Sequence, residues 1–209
     1  MKGYHYIKRG IDIILSGMAI VILSPLLLFL CIAIKLDTPG PILFKQKRVG
    51  IHRSFFQIYK FRTMRIDTPK DVPTHMLENP EQYITKVGKF LRKTSLDELP
   101  QIFNIFKGEM SIVGPRPALW NQDDLVAERE KYGANDVTPG LTGWAQINGR
   151  DELEIPDKAR LDGEYVKHLG PWMDLKCFLG TIGSVLMHDG VVEVRILQNF
   201  PQGYDMERN

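Results

Sequence analysis

Between Ile13 and Ile34 the chain carries no charged residue, and these 22 positions, at about 1.5 Å of rise each, make a helix roughly 33 Å long. That length is enough to cross a hydrocarbon core. Ser24-Pro25 falls inside the run, where Pro25 removes a helical hydrogen bond and bends the axis, and the Ser24 hydroxyl can serve a freed carbonyl. Lys2, Lys8 and Arg9 precede the run, and Lys35, Lys45, Lys47 and Arg48 follow it. Cationic flanks at both ends pull both ends to the cytoplasm. A kinked helix that dips into the membrane and returns meets these demands. By charge alone an ordinary kinked transmembrane helix stands nearly even with it; what favours the return is that the polar motifs all follow residue 35 and no later run is apolar enough to bring the chain back. A cleaved secretory signal is disfavoured, because the run continues through Cys31 without a small-residue cleavage site.

Past the turn Asp37-Thr38-Pro39-Gly40-Pro41 the periodicity changes. Residues 42–50 read as a short strand ending in positive charge, and 55–64 alternate aromatic with polar side chains, as a half-buried strand does. With Gly50 between them the two form a hairpin, and Lys60 and Arg62 share a face by the two-residue period. Residues 66–83, with Pro69, Pro73 and Pro80, read as loop and short helices. Leu99, Ile102, Phe103 and Phe106 then recur at helical spacing until Lys107-Gly108 ends the helix. Ser111-Ile112-Val113 is a strand, 121–133 a charged helix, and Leu161 to His168 a helix. Asp174 to His188 is a helix with Leu175, Phe178, Leu179, Ile182, Val185 and Leu186 along one stripe, packed on the domain or, with Trp172, laid in a membrane interface. The tail beyond Gly190 reads as a mobile segment or an oligomer contact, so a homo-oligomer stays open. The pattern divides the chain into 1–36, 37–190 and 191–209.

Composition narrows the function classes. A length of 209 residues with 44% hydrophobic side chains suits one domain with a membrane appendage. The formal charge of +2 gives no bulk basic excess, so no nucleic-acid partner is expected, and any anion site must be a local cluster. Cys31 and Cys177 are the only cysteines and support neither a disulfide framework nor a zinc site. A reducing, cytoplasm-facing compartment follows.

The candidate chemistry gathers around Thr94-Ser95-Leu96-Asp97-Glu98-Leu99-Pro100. Two adjacent carboxylates stand at a helix start, and Ser95 with Glu98 fits a capping box. On these seven residues alone, capping and chemistry both remain open. Pro100 keeps the helix from beginning much earlier. Lys60, Arg62 and Arg92 are candidate cations for this dyad, with a charged, protected edge strand as the plain alternative for the first two. Arg116 sits in Gly114-Pro115-Arg116-Pro117, where prolines on both sides restrict it, which suits bidentate phosphate recognition, with an arginine in an ordinary surface turn as the plain alternative. Thr138 to Asp151 holds glycines, a tryptophan and side-chain amides, which suits a loop passing close to a ligand with Arg150 as a further phosphate partner. Its spacing is neither a Walker loop nor a dinucleotide fingerprint.

Taken in order, the Ser24-Pro25 kink, Tyr59-Lys60-Phe61-Arg62-Thr63-Met64, Ser95 to Gln101, Lys107-Gly108-Glu109-Met110-Ser111, Val113 to Pro117, Pro139-Gly140 and Gly143 to Arg150 resemble the bacterial sugar transferases. The likeness is to the small monotopic polyprenyl-phosphate phosphoglycosyl transferases, and it covers nearly the whole chain. It implies an α+β fold, with an N-terminal re-entrant membrane helix and a mainly helical cytosolic catalytic domain containing a small β-hairpin or sheet. It also implies transfer of a sugar 1-phosphate from a UDP-sugar to polyprenyl (undecaprenyl) phosphate, with release of UMP, on the cytoplasmic face of the inner membrane and in contact with its lipids. The position matching Asp97 is the family's nucleophile, forming a covalent phosphosugar-aspartate, and Glu98 assists in proton handling or magnesium placement. Mg²⁺ is the implied cofactor, with Asp97 as its protein ligand, and Lys60, Arg62, Arg92, Arg116 and Arg150 are the expected substrate-binding cations. A membrane-anchored nucleotide- or phosphate-binding scaffold without turnover is the competing expectation.

Overall fold

Residues 2–68, 79–149 and 153–186 are described by the computed structural model of the chain. Its longest element is α1 (Lys2–Asp37), a continuous helix with Pro25 inside it. Pro25 cannot donate to Val21, four residues earlier. The Ser24 hydroxyl donates to that carbonyl instead, at 2.8 Å. One stripe of α1 faces the rest of the chain: Asp12 and Ser16, then Ile20 and Leu23, then Leu27, Leu30 and Ile34, at three- and four-residue spacing. The opposite face leaves Ile14, Val21, Ile22, Leu28 and Phe29 more than 60% exposed. An apolar face of that extent needs an apolar surrounding.

The hairpin forms as the alternation predicts: β1 (Leu43–Val49) pairs antiparallel with β2 (Phe55–Phe61), with Lys45 opposite Tyr59 and Phe44 opposite Lys60. Its tip turns through His52 and Arg53, both at positive φ. Next comes α2 (Lys86–Lys93), whose first turn is capped by the Thr85 hydroxyl and also by the Asp37 carboxylate, which accepts from Val87 N. After a 3₁₀ turn over Leu96–Glu98 follows α3 (Gln101–Lys107), closed by Gly108 at φ 91°. The sequence places Phe103 and Phe106 on the inner face of this helix. In the structure Ile102 and Ile105 are buried, while Phe103 and Phe106 look outward, Phe106 beside Gly17 of α1.

A second sheet joins β3 (Ser111–Val113) to β4 (Gly140–Thr142) in parallel. Between them lies α4 (Asp123–Glu130), and α5 (Trp144–Ile147), α6 (Ile155–Lys167) and α7 (Pro171–Leu186) complete the order. The fold is mainly helical with two small sheets and a long apolar N-terminal helix. Leu27, Leu30 and Ile34 of α1 share a core with Phe61, Leu91 and Ile102, so the membrane-type helix is built into the body rather than appended to it. A second core joins Val113 to Tyr165, Met173 and Cys177. The stripe predicted for α7 is its exposed side, with Leu175, Phe178, Leu179 and Ile182 open beside Trp172, while Met173 and Cys177 face the core.

Candidate active site

The 3₁₀ turn that carries Asp97 and Glu98 follows Ser95, which adopts a left-handed φ of 55° and makes no side-chain cap. This corrects the expected capping box: α3 begins after Pro100, and the dyad lies in a separate tight turn between α2 and α3. Asp97 and Glu98 stand close enough in this turn for the charge of one to act on the other. What lets them do so is the charge brought from elsewhere.

Glu98 Oε1 accepts from Lys60 Nζ and from Arg116 Nη2, each at 2.8 Å. Lys60 comes from β2 and Arg116 from the Pro-Arg-Pro turn after β3, so three distant segments meet on one carboxylate oxygen. Burial alone would push Glu98 up, but Arg116 and Lys60 overcome it and hold this carboxyl far below the usual carboxylate range. Asp97 differs. Burial pushes its carboxyl up to about 6; Lys60 pulls it down, the Glu98 charge adds to the rise, and Arg92 pulls it down again. One fold thus holds a firmly ionised carboxylate beside one that is poised near neutrality.

Residues 3–188 match the family described as bacterial sugar transferase. The chain belongs to that family. It is 40% identical over 189 residues to the UDP-glucose:undecaprenyl-phosphate glucose-1-phosphate transferase of Escherichia coli (strain K12), a match covering 84% of this chain and 39% of that protein. It is 38% identical over 185 residues to the uncharacterized sugar transferase EpsL of Bacillus subtilis (strain 168), covering 88% of this chain and 90% of that one. It is 35% identical over 203 residues to the undecaprenyl-phosphate galactose phosphotransferase of Salmonella typhimurium (strain LT2), covering 90% and 42%. The chain therefore spans less than half the length of the Escherichia coli and Salmonella proteins and nearly all of EpsL.

In this bacterial sugar transferase the expected cations divide. Lys60 and Arg116 meet at Glu98. Arg92 donates through Nε to Thr63 Oγ1 at 3.0 Å and acts on Asp97 through its charge. Arg62 is elsewhere: it is buried, and its terminal nitrogens donate to Pro39 O at 2.5 Å, Thr38 O at 2.7 Å and Thr38 Oγ1 at 2.9 Å. It fastens the turn that follows α1, so in this arrangement its hydrogen bonds go to backbone and hydroxyl. Arg150 lies outside the described residues.

The glycine-rich segment has a reason of its own. A Cβ on Gly114 would strike Thr138 O at 2.5 Å, and one on Gly140 or Gly143 would collide with the Gly114 backbone. These glycines let β3 and β4 lie backbone against backbone, and Gly140 N donates to Pro115 O at 2.8 Å, which fixes the turn that presents Arg116. Asn104 was missed as a positioning residue. It is fully buried, accepts from Tyr59 N at 3.0 Å, and donates to Gln57 O and Glu109 Oε2 at 2.7 Å each. It locks α3 to β2 one residue from Lys60; an amide inside an apolar helical stripe was the available signal. Arg129 of α4 and Asp162 of α6, 2.6 Å apart and both buried, form an ion pair that helical periodicity alone does not pair.

Among the described residues no group of three His, Cys, Asp or Glu side chains could hold a metal ion. Mg²⁺ does not need one, since it binds through one or two carboxylates and fills its shell with water and phosphate oxygens. With Glu98 engaged by two cations, Asp97 is the carboxylate suited to such an ion.

Proposed function

We propose that this chain transfers a sugar 1-phosphate from a UDP-sugar to polyprenyl (undecaprenyl) phosphate and releases UMP, through a phosphosugar-aspartate on Asp97. The observation that carries this reading is the pairing of Asp97, its carboxyl held near 6, with a Glu98 that draws Lys60 and Arg116 to the same place. Membership of the bacterial sugar transferases and the printed activities of the Escherichia coli and Salmonella relatives support it.

In the first step an Asp97 oxygen attacks the β-phosphorus, the bond to the bridging oxygen breaks, and UMP leaves with the electron pair. In the second, an oxygen of the lipid phosphate attacks the same phosphorus and Asp97 departs as carboxylate. Each step brings anions together, so charge must be neutralised where it develops. Lys60, Arg116 and Arg92 are the cations nearest to that task, with Arg150 a further candidate by sequence. Bound Mg²⁺ would supply further neutralisation of the diphosphate oxygens, with Asp97 as the residue to hold it. A carboxylate nucleophile divides one difficult displacement into two and lets the soluble product leave before the lipid reacts.

The proposed setting is the cytoplasmic face of the inner membrane, with 1–36 as a re-entrant helix, 37–190 as the catalytic domain and 191–209 as a tail. The attachment of both ends of α1 to one polar body supports this. Near its start, Tyr4 and Lys8 donate to Asp174 of α7 at 2.8 and 2.5 Å; at its end, Asp37 caps α2. A helix crossing the bilayer would part those ends. Purified protein incubated with Mg²⁺, polyprenyl phosphate and a panel of UDP-sugars is expected to release UMP, and Asp97→Asn to abolish release. Full activity in that variant would exclude Asp97 as the nucleophile.

A further inference from the structure

The contact between Glu98 and its two cations has a use beyond holding a turn in place. Lys60 and Arg116 reach one oxygen of Glu98 from separate elements. Two cations brought that close repel each other unless an anion stands between them. The cluster is not sealed: the side chains of Lys60, Glu98 and Arg116 remain 20%, 22% and 40% exposed. An entering anion can therefore reach both cations. A phosphate oxygen accepts the same charge-assisted hydrogen bonds as a carboxylate oxygen, with the same partners and at similar distances. The neighbouring residue in the chain is Asp97, so this anion seat adjoins the proposed nucleophile.

We infer that the Glu98 carboxylate occupies, before substrate arrives, the seat that a phosphate of the nucleotide diphosphate takes during turnover. Binding exchanges one anion for another on Lys60 and Arg116. Glu98 is then a positioning residue that keeps two cations assembled and surrenders them to substrate. The inference rests on the proposed function only in taking a diphosphate as the ligand.

The exchange predicts an unusual sign. An internal competitor lowers apparent affinity by the fraction of time it holds the seat. Removing its charge in Glu98→Gln should therefore tighten UDP binding by about tenfold. Titration calorimetry of UDP and of uridine against the purified full chain with Mg²⁺ reads this directly. Uridine has no phosphate, so its binding should not change. UDP binding that is unchanged or weaker in Glu98→Gln overturns the inference and leaves the proposed reaction standing, as does equal tightening for uridine. Absence of UDP binding to the natural protein overturns both. Thermal melting checks that the variant folds. Should it not, Glu98→Asp keeps the charge but draws it back by one methylene from the shared contact; it should tighten UDP by a smaller factor, and no tightening there also overturns the inference.

Discussion

Asp97 sits where its charge is least welcome, and that is what makes it usable. Its folded-state value, raised to about 6, exceeds the ordinary 3.8, so the native state holds a proton that the unfolded chain has lost between those two values. Stability contributed by this group is present below about pH 4 and is lost as pH rises through 6. Asp97→Asn should then raise the melting temperature at pH 7.5, by an amount corresponding to at most about 3 kcal/mol, and leave it unchanged at pH 4, while abolishing UMP release. For the natural protein, kcat/KM should climb with pH around a midpoint near 6. Arg92→Gln, which removes a charge that lowers Asp97, should move that midpoint upward; a profile flat from pH 5 to 8 would contradict the assignment. The dyad, Lys60 and Arg116 were legible as residue types beside turn-forming prolines. The left-handed Ser95 and the diversion of Arg62 to Thr38 and Pro39 were not, because both depend on what the turn after α1 and the end of α2 require of their neighbours.

Among the elements, the hairpin, α3's closure at Gly108 and the strand before Gly114 follow from alternation and turn chemistry, and the structure contains them as expected. The parallel pairing of β3 with β4 was not readable, since three-residue strands carry too little pattern to name a partner. Its glycines also serve the sheet itself, because close backbone approach requires glycine whatever is approached. Gly140→Ala should therefore cost about 3 kcal/mol or more through overpacking, and should depress activity by displacing the turn before Arg116, measurable as a lower denaturation midpoint together with reduced UMP release. The α4–α6 contact offers a second test. Asp162→Ala strands the buried Arg129, and breaking such a pair costs about 3–5 kcal/mol. A loss below about 1 kcal/mol would mean that Arg129 finds water instead. Helix faces are hard to read where membrane and core compete: Phe103 and Phe106 point outward against expectation, and the α7 stripe, left open between core and membrane interface, is the exposed side, because sequence gives one hydrophobic signal for both surroundings.

For the molecule as a whole, α1 decides the geometry. Its polar contacts with Asp174 and Ile112 near one end and with Val87 near the other tie both ends to the domain that carries Asp97. Membrane-impermeant thiol labelling of single cysteines at position 3 and at an exposed domain position such as Lys89 should report the same side of the bilayer; opposite sides would refute the re-entrant topology. The length of this helix and the proline inside it were legible from the uncharged run and Ser24-Pro25. Its attachment along a stripe running from Asp12 to Ile34 was not, because the partners lie some seventy to a hundred residues away for many of these contacts. That attachment makes the enzyme proposed here a two-dimensional reactor. A catalyst whose helix is shared with its own core does not sample the bulk volume, so its lipid acceptor is counted per area of bilayer and its nucleotide donor per litre. Diluting polyprenyl phosphate with inert phospholipid, at constant total acceptor in the tube, should slow turnover at saturating UDP-sugar, while the same dilution leaves kcat/KM for UDP-sugar unchanged, as a mechanism in two separate steps requires.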